Sequence, residues 1–301
     1  MEEFFQQLTN GLAVGGIYAL IALGYTMVYG VLKLINFAHG DLFALGAYLG
    51  LTLLTSLGLN NRLGPLAGLA LLVVFVTGLV ALAGALLERA AYRPLRQSPR
   101  LSAVVSALGA SIFIQNTLML IYGSKIRVYP KGILPAVAVN IFGLQVPLVR
   151  ILVFVVSLLL MAALFAFIQK TRLGTAIRAV AIDQDAARLM GINVDQVIMI
   201  VFLIGPGLGG VAGLLVGLYY GQVNFTMGWI YGLKAFTAAI LGGIGNIPGA
   251  MLGGLILGVI EALGAAYVSV AWKDAIAFLV LIVILIARPK GLLGERVADK
   301  I

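Results

Sequence analysis

Two ionisable side chains, Lys234 and Glu261, stand inside otherwise apolar stretches of this 301-residue chain. In lipid such groups are rare, and they either pair or face a wet cavity. Residue counts place them at similar depths if their stretches cross a membrane, so their chemistry is that of a structural ion pair or of the lining and gating of a translocation path. The lone histidine, His39, cannot build a metal site by itself, and no metal site is expected. With Asp41 it falls at the edge of an apolar stretch, where a structural or interfacial role is expected rather than a proton relay. Cysteine is absent, which excludes disulfides, thiolate ligands and cysteine nucleophiles. The few carboxylates sit mostly in loops instead of converging in a cleft, so an enzyme is the least favoured class. No G-x-x-x-x-G-K-[ST] segment occurs, so any ATP is handled by a partner and the chain needs no cofactor of its own.

The elements that must position these groups follow from composition. Hydrophobic types make up 62% of residues and charged types 10%, too apolar for a soluble surface of this size. Apolar runs long enough to cross a bilayer lie near 8–32, 40–60, 63–87, 101–122, 147–169, 196–220, 228–245, 249–267 and 274–288. The expected fold is therefore an all-α integral membrane protein, a polytopic bundle of about eight to ten segments forming a single domain over 1–301. The seventh and eighth runs, joined by Gly245-Asn246-Ile247-Pro248-Gly249, are either two spans or a re-entrant pair. Gly209, Gly213, Gly217 and Gly221, and likewise Gly254, Gly258, Ala262 and Ala266, recur every four residues and predict close helix packing.

The net charge of +9 does not require nucleic acid. Twelve of the 20 cations form three groups: Arg89, Arg93, Arg96 and Arg100; Lys170, Arg172, Arg178 and Arg188; and Arg288, Lys290, Arg296 and Lys300. Even numbers of spans separate them, so all three fit in the cytoplasm, with the N-terminus outside and the C-terminus cytoplasmic. The acidic start, Glu2-Glu3, lacks the basic region of a signal peptide and is expected to stay attached. Lys125, Arg127 and Lys131 oppose this topology, since their loop then falls outside.

A self-match at an offset of 188 lays Asn36, Phe37 and Gly40 over Asn224, Phe225 and Gly228, with Leu45 over Leu233 and Ala47 over Ala235. The spans that follow are five apart and run in opposite directions, which is the mark of a pseudo-symmetric inverted repeat. In such repeats interrupted segments meet near the midplane and line a pathway. The alternative is that Asn-Phe-x-x-Gly is only a helix entry capped by Asn.

Between the fifth and sixth spans, about 170–195, the chain predicts one helix outside the membrane, ended by Gly191. Its Asp185, Ala186 and Ala187, with Gly191, resemble the E-A-A-x-x-x-G coupling loop of ABC importer permeases, with Asp for Glu. Small side chains there let a helix seat in a partner's groove. The stretches Asn10–Gly24, Val31–Asp41, Thr171–Gly174 and Gly232–Gly243 resemble the permease subunits of branched-chain amino acid ABC importers, in order along nearly the whole chain. That resemblance implies an inner-membrane permease moving leucine, isoleucine or valine by alternating access. It also implies a heterodimer with a second permease, two cytoplasmic ATP-binding subunits and an external substrate-binding protein. Coupling falls to Asp185, Ala186, Ala187 and Gly191, and the pathway candidates are Asn36, Phe37, Gly40, Asn224, Phe225, Gly228, Lys234 and Glu261. Within the same family a urea or short-amide permease shares these motifs; from another class, an ion-gradient-driven secondary transporter or channel also fits a repeat with buried charges.

Overall fold

The computed structural model describes residues 2–57, 64–96, 98–130, 135, 137–141 and 143–294. In chain order the helices are α1 (Glu2–Leu32), α2 (His39–Leu57), α3 (Pro65–Leu87), α4 (Arg100–Tyr122), α5 (Leu148–Lys170), α6 (Arg172–Ile182), α7 (Gln184–Leu189), α8 (Val194–Tyr220), α9 (Met227–Gly242), α10 (Ile247–Tyr267) and α11 (Lys273–Ala287). A π-helical turn (Glu88–Tyr92) and a 3-10 turn (Arg93–Leu95) continue α3. Four short strands complete the set: β1 (Arg127–Val128), β2 (Ala138–Ile141), β3 (Leu144–Pro147) and β4 (Gln222–Val223). β2 and β3 form a hairpin, while β1 pairs antiparallel with β4, Arg127 opposite Val223.

Each of the nine apolar runs coincides with a helix, but only seven helices among the described residues are long and apolar enough to cross a membrane. The two that fall short are α2, which opens on His39 and Asp41, and α9, which has 16 residues. α1 and α8 lie at the centre, with 94% of the apolar window of α1 buried against 6% for α11. An apolar stripe cannot place a helix inside a uniformly apolar bundle; small residues do so by letting backbones touch. A Cβ on Gly11 would lie 2.6 Å from Val259 Cα and one on Gly15 2.8 Å from Leu255 Cα, so α1 rides directly on α10, while Gly254 and Gly258 abut Ala19 and Gly15 in return. Along the α8 row, Gly209 faces His39, Gly213 faces the backbone of α2 and Gly217 faces Tyr129. Gly221 departs from the expectation: it has open space around it and a φ of +69°, so it is the left-handed stop of α8 and not a packing residue. Ala266, the last of the second row, is exposed.

The three cationic segments share one end of the bundle. Arg96 bonds both Glu88 and Asp195, the latter at 2.5 Å, Gln184 Nε2 donates to Val31 O at 2.8 Å, and Leu292 and Leu293 N–H groups bond the last carbonyls of α9. Arg296 and Lys300 lie outside the described residues, as does Lys131. β1 and β4 mark the opposite end, so Lys125 and Arg127 are separated from the main cationic clusters.

The helix expected over 170–195 is two helices. Asp183 breaks it: its backbone is extended, and its side chain accepts from Asp185 N at 3.0 Å and Ala186 N at 3.1 Å, capping α7 afresh. Gly191, at φ +81°, ends this segment as expected.

Candidate functional site

The repeat is visible in the helix ends. α1 ends at Leu32 and α8 at Tyr220, and α2 begins at His39 and α9 at Met227, so both boundaries are offset by 188 and both gaps hold six residues. Within each gap the matched asparagine folds the chain alike. Asn36 O accepts from His39 N at 3.1 Å and Asn224 O from Met227 N at 3.3 Å. Asn36 Oδ1 accepts from Ala38 N at 3.1 Å, while Asn224 Oδ1 accepts from Thr226 Oγ1 at 3.0 Å. Asn36 Oδ1 takes a second bond, 2.9 Å, from Tyr92 OH in the π-helical turn.

Neither gap stays at its end of the bundle. His39 Nε2 lies 3.2 Å from Ile21 O, and Ile21 precedes the end of α1 by 11 residues, about 16 Å of helix. The segment 33–38 therefore runs back into the body, and α2 starts deep inside. His39 and Asp41 are 0% and 3% exposed, not at a boundary as their sequence position suggested. His39 is wedged between Gly24 and Gly209, with the Tyr25 ring edge-on at 4.7 Å.

The segment 221–226 re-enters from the other end, and the first turns of α2 and α9 meet. Gly40 abuts the carbonyl of Gly228, and a Cβ on Gly228 would stand 2.7 Å from Gly40 O. Thus Asn36, Gly40, Asn224 and Gly228 all belong to one junction. Phe37 lines an apolar cleft beside it with Trp229, Leu233 and Phe236, whereas Phe225 packs on the core.

Lys234 and Glu261 do pair. Lys234 Nζ lies 2.8 Å from Glu261 Oε1 and 2.7 Å from Asp274 Oδ1, Tyr18 OH donates to Glu261 Oε2 at 2.7 Å, and Lys273 Nζ is 3.5 Å from Glu261. Two cations thus balance two anions around side chains that are almost fully buried, which is how such charges are tolerated in an apolar medium. Because α9 begins inside the bundle, the backbone of Lys234 is set deeper than a count from the outer face implies, and its long side chain reaches back to the network. The cluster joins α1, α9, α10 and α11 and is separate from the Gly40–Gly228 junction. A cleft that includes Gln7, Tyr220 and Lys273 opens onto Glu261.

In the α6–α7 segment Asp185 is exposed and pairs with Arg188 at 3.4 Å, and Ala186 is exposed. Ala187 is 4% exposed and faces the body, so it seats α7 instead of presenting a surface. The outward face carries Ile182, Leu189 and Met190, each more than 80% exposed. Sequence spacing missed these three, since Ile182 and Leu189, two helical turns apart, and the adjacent Met190 are too few to mark an apolar face. It also missed Glu88, which is 0% exposed and pairs with Arg96 of the first cationic group; a carboxylate directly after an apolar run was the available signal.

Two half-repeats of opposite sense, interrupted where they meet inside a helical bundle of membrane-crossing length, define a polytopic membrane permease. Residues 7–285 match the family described as "Branched-chain amino acid transport system / permease component". The chain is 46% identical to the high-affinity branched-chain amino acid transport system permease protein BraD of Pseudomonas aeruginosa, over 99% of this chain and 98% of that protein. It is 43% identical to the corresponding LivH of Escherichia coli K12, again over 99% and 98%. Among solved structures it is similar to a metal-chelate type ABC transporter in an inward-facing conformation, at 17% identity and a TM-score of 0.47, covering 94% of this chain and 88% of that one. The chain belongs to the branched-chain amino acid transport permease family and is a multi-pass inner-membrane transport subunit.

Proposed function

We propose that this chain is the permease subunit through which an ATP-driven importer moves leucine, isoleucine and valine across the inner membrane by alternating access. The N-terminus lies outside, and the cationic end and the C-terminus lie in the cytoplasm, following the distribution of Lys and Arg. A second permease completes the pathway as a heterodimer, an external binding protein delivers the amino acid, and two ATP-binding subunits supply the nucleotide chemistry that this chain lacks. The full-length likeness to BraD and LivH supports the cargo.

One contact carries the mechanism. Gln184, at the start of α7, holds the carbonyl of Val31 at the end of α1, just ahead of the re-entrant segment. An ATPase that grips Ile182, Asp185, Ala186, Leu189 and Met190 on the exposed side therefore pulls on the chain that sets the position of α2. Gly191 lets that segment turn back, and the Gly40–Gly228 junction is the part that opens. Lys234 and Glu261 hold α9 to α10 beneath the outer cleft.

The test is uptake of radiolabelled leucine into proteoliposomes containing both permeases and the ATPases, with binding protein and ATP each supplied or withheld. Accumulation should require both. Uptake that persists without the ATPases and follows a proton or sodium gradient would overturn the ATP-driven assignment. Uptake of urea or a short amide in place of leucine would overturn the cargo.

A further inference from the structure

Asp41 is the one buried carboxylate among the described residues that has no cation. Glu88 has Arg96, and Glu261 has Lys234 and Lys273. Asp41 is 3% exposed; its Oδ2 accepts from Ser111 Oγ at 2.5 Å, and its Oδ1 has no hydrogen bond. His39, two residues earlier, is turned away toward Ile21. Within an apolar bundle an uncompensated carboxylate is expensive, and residues of this kind mark sites that meet a charged ligand.

The free oxygen is aimed at the junction. A Cβ on Gly228 would lie 2.7 Å from Asp41 Oδ1, and Gly228, in the first turn of α9, lines the apolar cleft with Tyr25, Phe37, Trp229, Leu233 and Phe236. Three chemistries thus converge within a few ångströms: a carboxylate, the Gly228 N–H at the positive dipole end of a 16-residue helix whose Met227 and Trp229 N–H groups already donate to Asn224 O and Thr226 O, and an apolar wall. A zwitterion bearing a hydrocarbon side chain needs these three and nothing more.

We propose that Asp41 and the first turn of α9 form an amino-acid site within the pathway. As the Gly40–Gly228 junction parts, Asp41 Oδ1 takes the α-ammonium, the Gly228 N–H at the positive end of α9 takes the α-carboxylate, and Phe37, Leu233 and Phe236 take the branched side chain. This site rests on the assignment of the chain as an amino-acid permease.

The experiment uses the assembled importer in nanodiscs with Trp272→Phe, which leaves Trp229 as the only tryptophan of this chain; any tryptophan in the other subunits is likewise replaced by Phe. Trp229 emission is followed while L-leucine or 4-methylpentanoate, which lacks the ammonium, is added without binding protein. Leucine should shift the emission saturably. Asp41→Asn should weaken leucine by at least about tenfold, as expected for loss of a charge-assisted hydrogen bond, and erase the preference over 4-methylpentanoate. Asp41→Glu should restore part of both. If Asp41→Asn fails to assemble, Leu233→Phe narrows the cleft from a partly exposed position and should weaken leucine at least about tenfold more than alanine. Wild-type leucine binding by Asp41→Asn, or an unchanged leucine-to-alanine ratio in Leu233→Phe, would sink the site while leaving the permease assignment intact. If the wild-type importer takes up none of leucine, isoleucine and valine, the assignment itself fails.

Discussion

Gly40 and Gly228 are equivalent residues of the two half-repeats, and they touch each other. The contact is isologous: each glycine faces the carbonyl of its own counterpart, so the pseudo-two-fold axis passes between them. A methyl group on either side has nowhere to go.

Gly40→Ala and Gly228→Ala should therefore each destabilise by about 1–3 kcal/mol through overpacking against backbone, and each should abolish leucine uptake. Gly78→Ala is the matched control, because nothing lies within 4 Å of its Cβ position. It should be neutral or mildly stabilising in a thermal melt of the detergent-solubilised protein. Equal melting points for all three variants would contradict a closed junction.

Lys234→Met removes the nearest cation from Glu261 and should cost about 3–5 kcal/mol, as when one member of a buried pair is lost. The double variant Lys234→Met with Glu261→Leu should recover much of that loss, since Asp274 can reach water. A double-mutant cycle on thermal stability reads the coupling; additive effects would mean the pair is not energetically joined.

On α7 the structure separates two kinds of failure. Ala186→Arg and Leu189→Asp alter exposed positions and should leave the permease folded while the ATPases no longer co-purify. Ala187→Arg forces a cation into a buried position and should lower the melting point as well. If Ala187→Arg melts like the wild type, Ala187 is a surface residue after all.

Arg96→Met strands the fully buried Glu88 and should cost about 3–5 kcal/mol. Tyr92→Phe loses only the bond to Asn36 Oδ1, worth about 1 kcal/mol. Its effect should appear mainly in transport, as more ATP hydrolysed per leucine carried. An unchanged ratio would show that the Tyr92–Asn36 bond does not help hold the re-entrant segment.

Apolar run length made the helices legible, because a bilayer fixes how long a span must be, and the repeated Asn-Phe-x-x-Gly pattern made the junction legible in the sequence. Depth was not legible. The six residues between Leu32 and His39 carry no signal of how far they turn inward, so the place of His39 and Asp41 at the edge of an apolar stretch pointed to a structural or interfacial role and not to full burial. The break at Asp183 was hidden because its neighbours favour helix, and only the side chain's bonds to Asp185 and Ala186 N–H groups reveal it. Gly221 kept the four-residue spacing of a packing row yet serves as a stop, since spacing cannot distinguish the last residue of a helix from the first beyond it. Asp41 escaped notice as a site because burial, which makes its charge costly, is a property of three dimensions.

The central position of α1 has a consequence for synthesis. Of the helices described, α1 leaves the ribosome before α2 through α11, yet its apolar window is the most buried among the membrane-length helices, and the glycine face it presents belongs to α10, which is not made until α2 through α9 have followed. Until α10 is made, Gly11 and Gly15 must therefore border lipid or a chaperoning surface of the insertion machinery, so the helix at the centre of the core waits for a partner that lies more than 200 residues further along the chain.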